Sequence, residues 1–343
     1  MALKIATWRW LALMVMMSAA VSVVRAAETP IDPLVKQREA SYWVTRIQQA
    51  AQHQNYSGVF VYQRDATLQS SQISHYADLL NNEYERVETL DGKPRQFVRH
   101  NREVRTLRPD TQTILLERRD LKDSFPSLIS TNKAEILDSY ELRKLGVERF
   151  AANDCQVLAL EPRDGDRYGY RLWVERKTGL LLRAQTLDDK GKVLEQIAFS
   201  RVQIGVPTDK NRIMAPLSET AGWKVTEVQE ASVNLAEMGW NVSSPLKGFV
   251  KLREVKRPTL LEGGGPGHTG NMYQAVFSDG LADLSVIVEP VVNRNARREG
   301  VASVGATNLL TRRQGDFWVT VVGEVPASVV KQFSSSVEQK STK

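Results

Sequence analysis

Apolar positions along this chain change their spacing from one region to the next, and each spacing predicts a different element. After Asp32 and Pro33, the residues Trp43, Ile47, Ala50 and Ala51 recur on one face of a 3.6-residue period. An aspartate at the N-cap and a proline in the first turn are helix-start signals, so a helix is expected that closes before Asn55. From Tyr56 to about Gly205 the period drops to two. The runs Tyr56–Gln63, Arg95–His100, Glu103–Leu107, Thr113–Leu116, Cys155–Leu160, Arg167–Val174, Leu180–Leu187 and Val193–Val202 read as strands of an antiparallel meander. Turn residues stand between them, as in Asp91-Gly92-Lys93-Pro94, Lys177-Thr178-Gly179 and Asp188-Asp189-Lys190-Gly191.

In Tyr56–Gln63 both faces are apolar, with Tyr56, Phe60 and Tyr62 on one and Val59 and Val61 on the other. Such a strand is expected to be covered on both sides, either by a helix or by a cavity for an apolar ligand. The stretch 120–145 is less regular and predicts short helices over the open side of a curved sheet. Near Pro207–Pro216 the apolar period lapses, which marks a domain boundary. Beyond it, strands are expected at Phe249–Lys256, Tyr273–Phe277 and Leu284–Glu289, then a hairpin of Thr307–Arg312 with Asp316–Val322, and a helix over Pro326–Ser336.

The N-terminus changes the picture of the working chain. Lys4 and Arg9 precede a 15-residue apolar run from Trp10 to Val24, and Val24 and Ala26 are small residues suited to cleavage after Ala26. This reads as a secretory signal, too short for a spanning helix of about 20 residues. Its removal leaves 317 residues with 43 basic against 40 acidic side chains, so the net charge falls from +6 to +3. No nucleic-acid partner is expected of so balanced a chain. The expected organisation is a signal peptide over 1–26, a first domain over 27–205, a linker over 206–220, a second domain over 221–335 and a disordered tail over 336–343. Cys155 is the only cysteine, so disulfides cannot brace these domains, and its strand context predicts a buried thiol.

The sequence offers no catalytic constellation. The four histidines, His53, His75, His100 and His268, form no metal motif, and each reads as a surface or half-buried residue. The glycines of 263–267 lack the Lys-Ser or Lys-Thr of a phosphate loop, and Ser303 lacks the spacing of a nucleophile elbow. No enzyme, cofactor or metal is therefore expected. Arg95, Arg99, Arg102, Arg105, Arg108, Arg118 and Arg119 crowd one strand region, and Arg294, Arg297, Arg298, Arg312 and Arg313 another. A solvated outer face is the favoured reading of both, with recognition of anionic lipids or acidic peptides as the alternative.

Several stretches resemble the MucB/RseB family of sigma-E regulatory proteins. They are Tyr56-Ser57-Gly58-Val59-Phe60-Val61-Tyr62-Gln63, Leu90-Asp91-Gly92-Lys93-Pro94-Arg95 with Asn101-Arg102-Glu103-Val104, the run Arg163–Val174, Leu194-Glu195-Gln196, Phe277-Ser278-Asp279-Gly280-Leu281 and Val321–Pro326. Their order spans nearly the whole mature chain. The resemblance implies an α+β fold: a curved antiparallel half-barrel with covering helices, similar to LolA and LolB, plus a smaller α+β C-terminal domain. It implies a periplasmic negative regulator of the sigma-E envelope stress response. Such a regulator binds the periplasmic domain of an RseA/MucA-type anti-sigma factor, shields it from proteolysis, and is released by lipopolysaccharide or mislocalised lipid.

The residues expected to line the lipid cavity are Phe60, Tyr62, Phe97, Leu115 and Trp173. Those expected at the partner surface are Trp240, Phe249, Tyr273 and Arg312. A homodimer is left open. The competing reading is a periplasmic carrier of lipids or lipoproteins, against which the second domain speaks, and an envelope hydrolase comes third.

Overall fold

A computed structural model describes residues 32–118, 125–129, 133–207, 209–228, 230–260, 269–291 and 298–340. The expected signal peptide, the glycine-rich loop with His268, and Arg119, Arg294 and Arg297 lie outside the described residues. In chain order the first elements are α1 (Pro33–His53), β1 (Tyr56–Arg64), β2 (Thr67–Ala77), β3 (Glu83–Thr89), β4 (Gln96–His100), β5 (Glu103–Arg108) and β6 (Thr113–Arg118). There follow α2 (Lys133–Ser139), β7 (Tyr140–Phe150), β8 (Asn153–Pro162), β9 (Gly169–Glu175), β10 (Leu181–Leu187), β11 (Val193–Ile204), α3 (Lys210–Met214) and β12 (Lys224–Glu227).

β1 to β12 form one 12-stranded sheet in the order β12-β6-β5-β4-β3-β2-β1-β11-β10-β9-β8-β7. Two meanders run outward from the central β1–β11 pair, which is antiparallel and slips register between Val59 and Phe60. The sheet is open and curved, with the helices few. Helix α1 starts where the sequence places it: Asp32 Oδ1 accepts from the Leu34 amide at 2.9 Å, filling one of the amides that a helix start leaves unpaired. Its buried face, Trp43, Val44, Ile47 and Ala50, packs into the core with Tyr56, Ile136, Tyr140, Leu158, Leu172 and Leu182.

Strands β2, β3 and β7 were not legible in the hydrophobic pattern. β7 is an edge strand whose middle, from Arg143 to Arg149, is exposed, and β2 carries serines and glutamines at five of its eleven positions. Backbone pairing to neighbours rather than apolar burial makes them strands. The two-sided cover expected for β1 is found on one side only. Tyr56 and Phe60 are buried, whereas Val59 and Val61 are half-buried. His75 also departs from expectation, since it is fully buried. Its Nδ1 sits 2.8 Å from the Gln54 carbonyl and its ring stacks on Tyr56 at 4.8 Å, and burial holds its pKa below the usual histidine value. Cys155 is buried as expected, and burial pushes its thiol up to about 12.

The chain does not leave this sheet at the expected linker. α3 and a 3-10 turn over Ala215–Glu219 bring Met214, Leu217 and Trp223 onto Val98, Leu107 and Ile114, and β12 then pairs in parallel with β6. Only after residue 228 does the second sheet begin. Its elements are β13 (Ala231–Ser232), β14 (Trp240–Asn241), β15 (Val250–Leu260), β16 (Thr269–Ser278), β17 (Asp283–Pro290), β18 (Gly300–Val304), β19 (Thr307–Gln314), β20 (Phe317–Gly323), α4 (Ala327–Ser336) and β21 (Glu338–Gln339). Seven strands lie in the order β13-β15-β16-β17-β20-β19-β18, with Val329, Val330 and Phe333 of α4 in the core over Phe277, Leu284, Val286 and Val319. The tail expected to be disordered from 336 is ordered to Lys340: β21 pairs with β14, and the Lys340 amide donates to the Gly239 carbonyl at 2.8 Å.

Candidate functional site

On the concave side of the first sheet lies a cavity of about 600 Å³. Its middle is apolar, built from Phe60 (β1), Val87 (β3), Phe97 (β4), Ile197 (β11) and the loop residues Phe125 and Leu128. Phe125 holds its loop over the cavity through rings 5.6 Å from Phe60 and 5.0 Å from Phe199. Alternation along each strand explains the membership, since residues two apart point to the same face.

One end of the cavity is basic and largely neutralised. Arg99 donates to Glu83 at 3.3 Å and to Glu85 at 3.1 Å, with all three side chains mostly buried. Burial alone would lower the Arg99 pKa, but Glu85 and Glu83 outweigh it and raise it. Arg95 stands exposed at the same rim. The basic ribbon is therefore not simply a solvated outer face: Arg99 turns inward and is paired.

The other end is acidic. Glu195 Oε2 accepts from the Tyr62 hydroxyl at 3.0 Å and from the Ala306 amide at 3.3 Å. Glu324, which follows β20 of the second domain, faces the same space. Its side chain is exposed to solvent, while the protein packed around it still displaces part of its hydration. That desolvation, followed by repulsion from Glu195 and Asp283 and offset in part by Arg64, pushes Glu324 up to about 7. Tyr170 (β9) also lines this end; it is 3% exposed and its hydroxyl has no hydrogen-bond partner among the described residues.

The two domains meet beside the acidic end. Arg167 Nε and the Tyr140 hydroxyl both donate to Asp279 Oδ2 at 2.9 Å, while Asp279 Oδ1 accepts from the Leu281 and Ala282 amides. The Arg167 guanidinium lies 4.9 Å from the Phe249 ring centroid, a cation–π distance. Two glycines permit this closeness. Gly248 has φ +86°, and a Cβ there would fall 2.6 Å from Arg167 Nη2; Gly305 has φ +58°, and a Cβ there would fall 2.5 Å from Arg64 Cγ.

Of the residues expected to line a lipid cavity, Phe60, Tyr62 and Phe97 line the cavity described above. Leu115 is half-buried on β6 outside it. Trp173 points the other way along β9: its Nε1 donates to Glu148 at 2.7 Å and Arg183 stacks on its ring at 4.4 Å. The strand's alternation presents Tyr170 in its place. The residues expected at a partner surface are built into the second domain. Trp240 and Phe249 are 2% and 4% exposed core residues, and Tyr273 is half-buried against that core. Arg312 donates to the Ser334 and Val337 carbonyls at 2.8 and 3.1 Å and so fastens the end of α4. Sequence reasoning missed Tyr170, Glu195, Glu324 and the Arg167–Asp279 pair. Each of these roles required knowing which strands face each other; Arg167 and Asp279 did stand inside recognisable motifs.

Comparison with known proteins adds the following. The family profile described as the MucB/RseB N-terminal domain matches residues 39–217, and that of the MucB/RseB C-terminal domain matches residues 234–338. The sigma factor AlgU regulatory protein MucB of Pseudomonas aeruginosa is 26% identical over 89% of this chain and 92% of its own length. The sigma-E factor regulatory protein RseB of Escherichia coli K12 is 25% identical over 84% of this chain and 87% of its own. A crystal structure of MucB in complex with MucA(peri) superimposes with a TM-score of 0.67 at 25% identity, covering 88% of this chain and 100% of that one.

Proposed function

This chain belongs to the MucB/RseB family, and from that premise we propose that it regulates an envelope sigma factor by binding the periplasmic segment of an RseA/MucA-type anti-sigma factor. The observation that carries this reading is the likeness, along almost all of a solved relative, to MucB in complex with MucA(peri). The regulator works in the periplasm, a placement that rests on the secretory signal read at residues 1–26. Among the described residues no helix is long and apolar enough to cross a membrane.

Binding shields the anti-sigma factor from proteolysis, and an acyl-bearing ligand such as lipopolysaccharide or mislocalised lipid relieves it. The physical basis is linkage. A ligand that occupies the aromatic-lined cavity and binds the free regulator better than the complex lowers partner affinity by the ratio of those two affinities. A cavity of about 600 Å³ with an apolar middle suits an acyl chain. That Glu324 of the second domain forms part of its wall supports a route from occupancy to the domain junction.

The test is co-purification of residues 27–343 with the periplasmic segment of the host's anti-sigma factor, with and without lipopolysaccharide, and digestion of the complex by a protease that cuts the free segment. A complex that slows cleavage and that lipopolysaccharide dissolves is expected. No complex, with acyl probes still bound, would instead favour a lipid or lipoprotein carrier.

A further inference from the structure

The cavity's acidic end is not required by an acyl chain. Glu195 and Glu324 bring two carboxylates to one wall, and Asp283 adds a third negative charge nearby. Arg64, laid over the Tyr62 ring at 5.7 Å, is the cation that opposes them, and it acts on Glu324 less strongly than either acid does. Glu195 is satisfied by neutral donors, a tyrosine hydroxyl and a backbone amide. Beside them Tyr170, more than nine-tenths buried, presents a hydroxyl with no partner among the described residues. A buried hydroxyl left unpaired costs free energy, and the carboxylates of buried Glu195 and solvent-exposed Glu324 repel, so this corner is destabilised in the protein alone. Both penalties are relieved by a group that donates several hydrogen bonds and carries positive charge.

From these residues we infer that the acidic end of the cavity is a subsite for a primary ammonium group, so that the ligand is an amphiphile with an amine near its acyl chain. This inference rests on the acyl-cavity reading and deepens it. The ammonium bridges Glu195 of the first domain and Glu324 of the second, with Tyr170 accepting a further hydrogen bond. The opposite end does not compete as a head-group site of equal strength, because Arg99 is already paired with Glu83 and Glu85 and Arg95 is exposed to water at the rim.

Three probes of one chain length, dodecylamine, dodecanol and laurate, test it on the full mature chain below their micelle concentrations. The amine is expected to bind roughly tenfold tighter than the alcohol, the scale of a charge-assisted hydrogen bond, and laurate weakest. Glu195→Gln and Glu324→Gln should each erase most of the amine's advantage while leaving dodecanol unchanged. Tyr170→Phe should weaken the amine several-fold without lowering the thermal midpoint, since it removes an unpaired hydroxyl. In wild type the amine's affinity should rise between about pH 6 and about pH 8 as Glu324, which faces Glu195, Asp283, Arg64, Tyr62 and Tyr170, loses its proton; in Glu324→Gln it should stay flat. Laurate binding as tightly as the amine, or an amine preference that survives both glutamine variants, overturns the subsite and leaves the acyl cavity standing. Failure of all three probes to bind overturns the acyl cavity itself.

Discussion

Arg167 and Asp279 meet at 2.9 Å across the domain junction with side chains 1% and 0% exposed. The pair joins the turn before β9 to the turn between β16 and β17, and Tyr140 makes it a triad. A charge pair so far from water persists only when every donor and acceptor is matched, and here the remaining oxygen of Asp279 is filled by two amides while Arg167 also reaches Asp164 and the Lys247 carbonyl.

Replacing Asp279 by Asn keeps the turn's acceptor but removes the buried countercharge of Arg167 and leaves it only the partly exposed Asp164. We expect a loss of about 3–5 kcal/mol in denaturant unfolding, and partial recovery in the double variant Arg167→Met with Asp279→Asn. A single-variant loss below about 0.5 kcal/mol would mean the junction opens readily and the charge is hydrated.

Because β12 and Trp223 belong to the first sheet, a truncation ending at residue 228 should be more stable than one ending at 220. The shorter piece loses the β6–β12 pairing and the Trp223 part of the cover over Val98, Leu107 and Ile114. Thermal midpoints compare the two. Equal midpoints would show that β12 adds nothing, and neither piece is expected to bind the anti-sigma segment.

The raised pKa of Glu324 has a definite sign in stability. Between its ordinary value of 4.5 and about 7, the folded state keeps a proton that the unfolded state has lost, so this group's contribution falls as pH rises through that window. Glu324→Gln removes that dependence. Its stability relative to wild type should climb from about pH 5 to about pH 8, as followed by urea unfolding; a constant difference across the range refutes the assignment.

Phe97 and Trp173 should separate cavity from core. Phe97→Ala is expected to weaken dodecanol binding roughly fivefold, about 1 kcal/mol of lost apolar contact, with little change in unfolding. Trp173→Ala, which empties a buried site, should cost about 3–5 kcal/mol of stability while the folded fraction binds dodecanol normally. The reverse pattern would place the ligand on the other face of β9.

Much of the architecture was legible in the chain itself. Helix α1, with its Asp32 cap and Pro33, the strands whose apolar residues alternate, and the buried Cys155 follow from local rules that need no neighbour. Ordered short motifs also carried the family resemblance, and Arg167 and Asp279 were already inside two of them. What tertiary structure alone decided is which face each residue serves. Trp173 and Tyr170 stand three apart on β9, and their composition does not tell which looks into the cavity; the pairing of β9 between β8 and β10 does. Trp240 and Phe249 were expected at a partner surface and are core, because Trp240 packs on Phe317 of β20 and Phe249 on Phe333 of α4. Polar strands such as β2 and β7 owe their existence to backbone pairing with partners distant in the chain, and the meeting of Glu195 with Glu324 spans 129 residues. Periodicity records what a residue prefers locally, whereas such long-range meetings arise only when the sheets assemble, so no local pattern contains them.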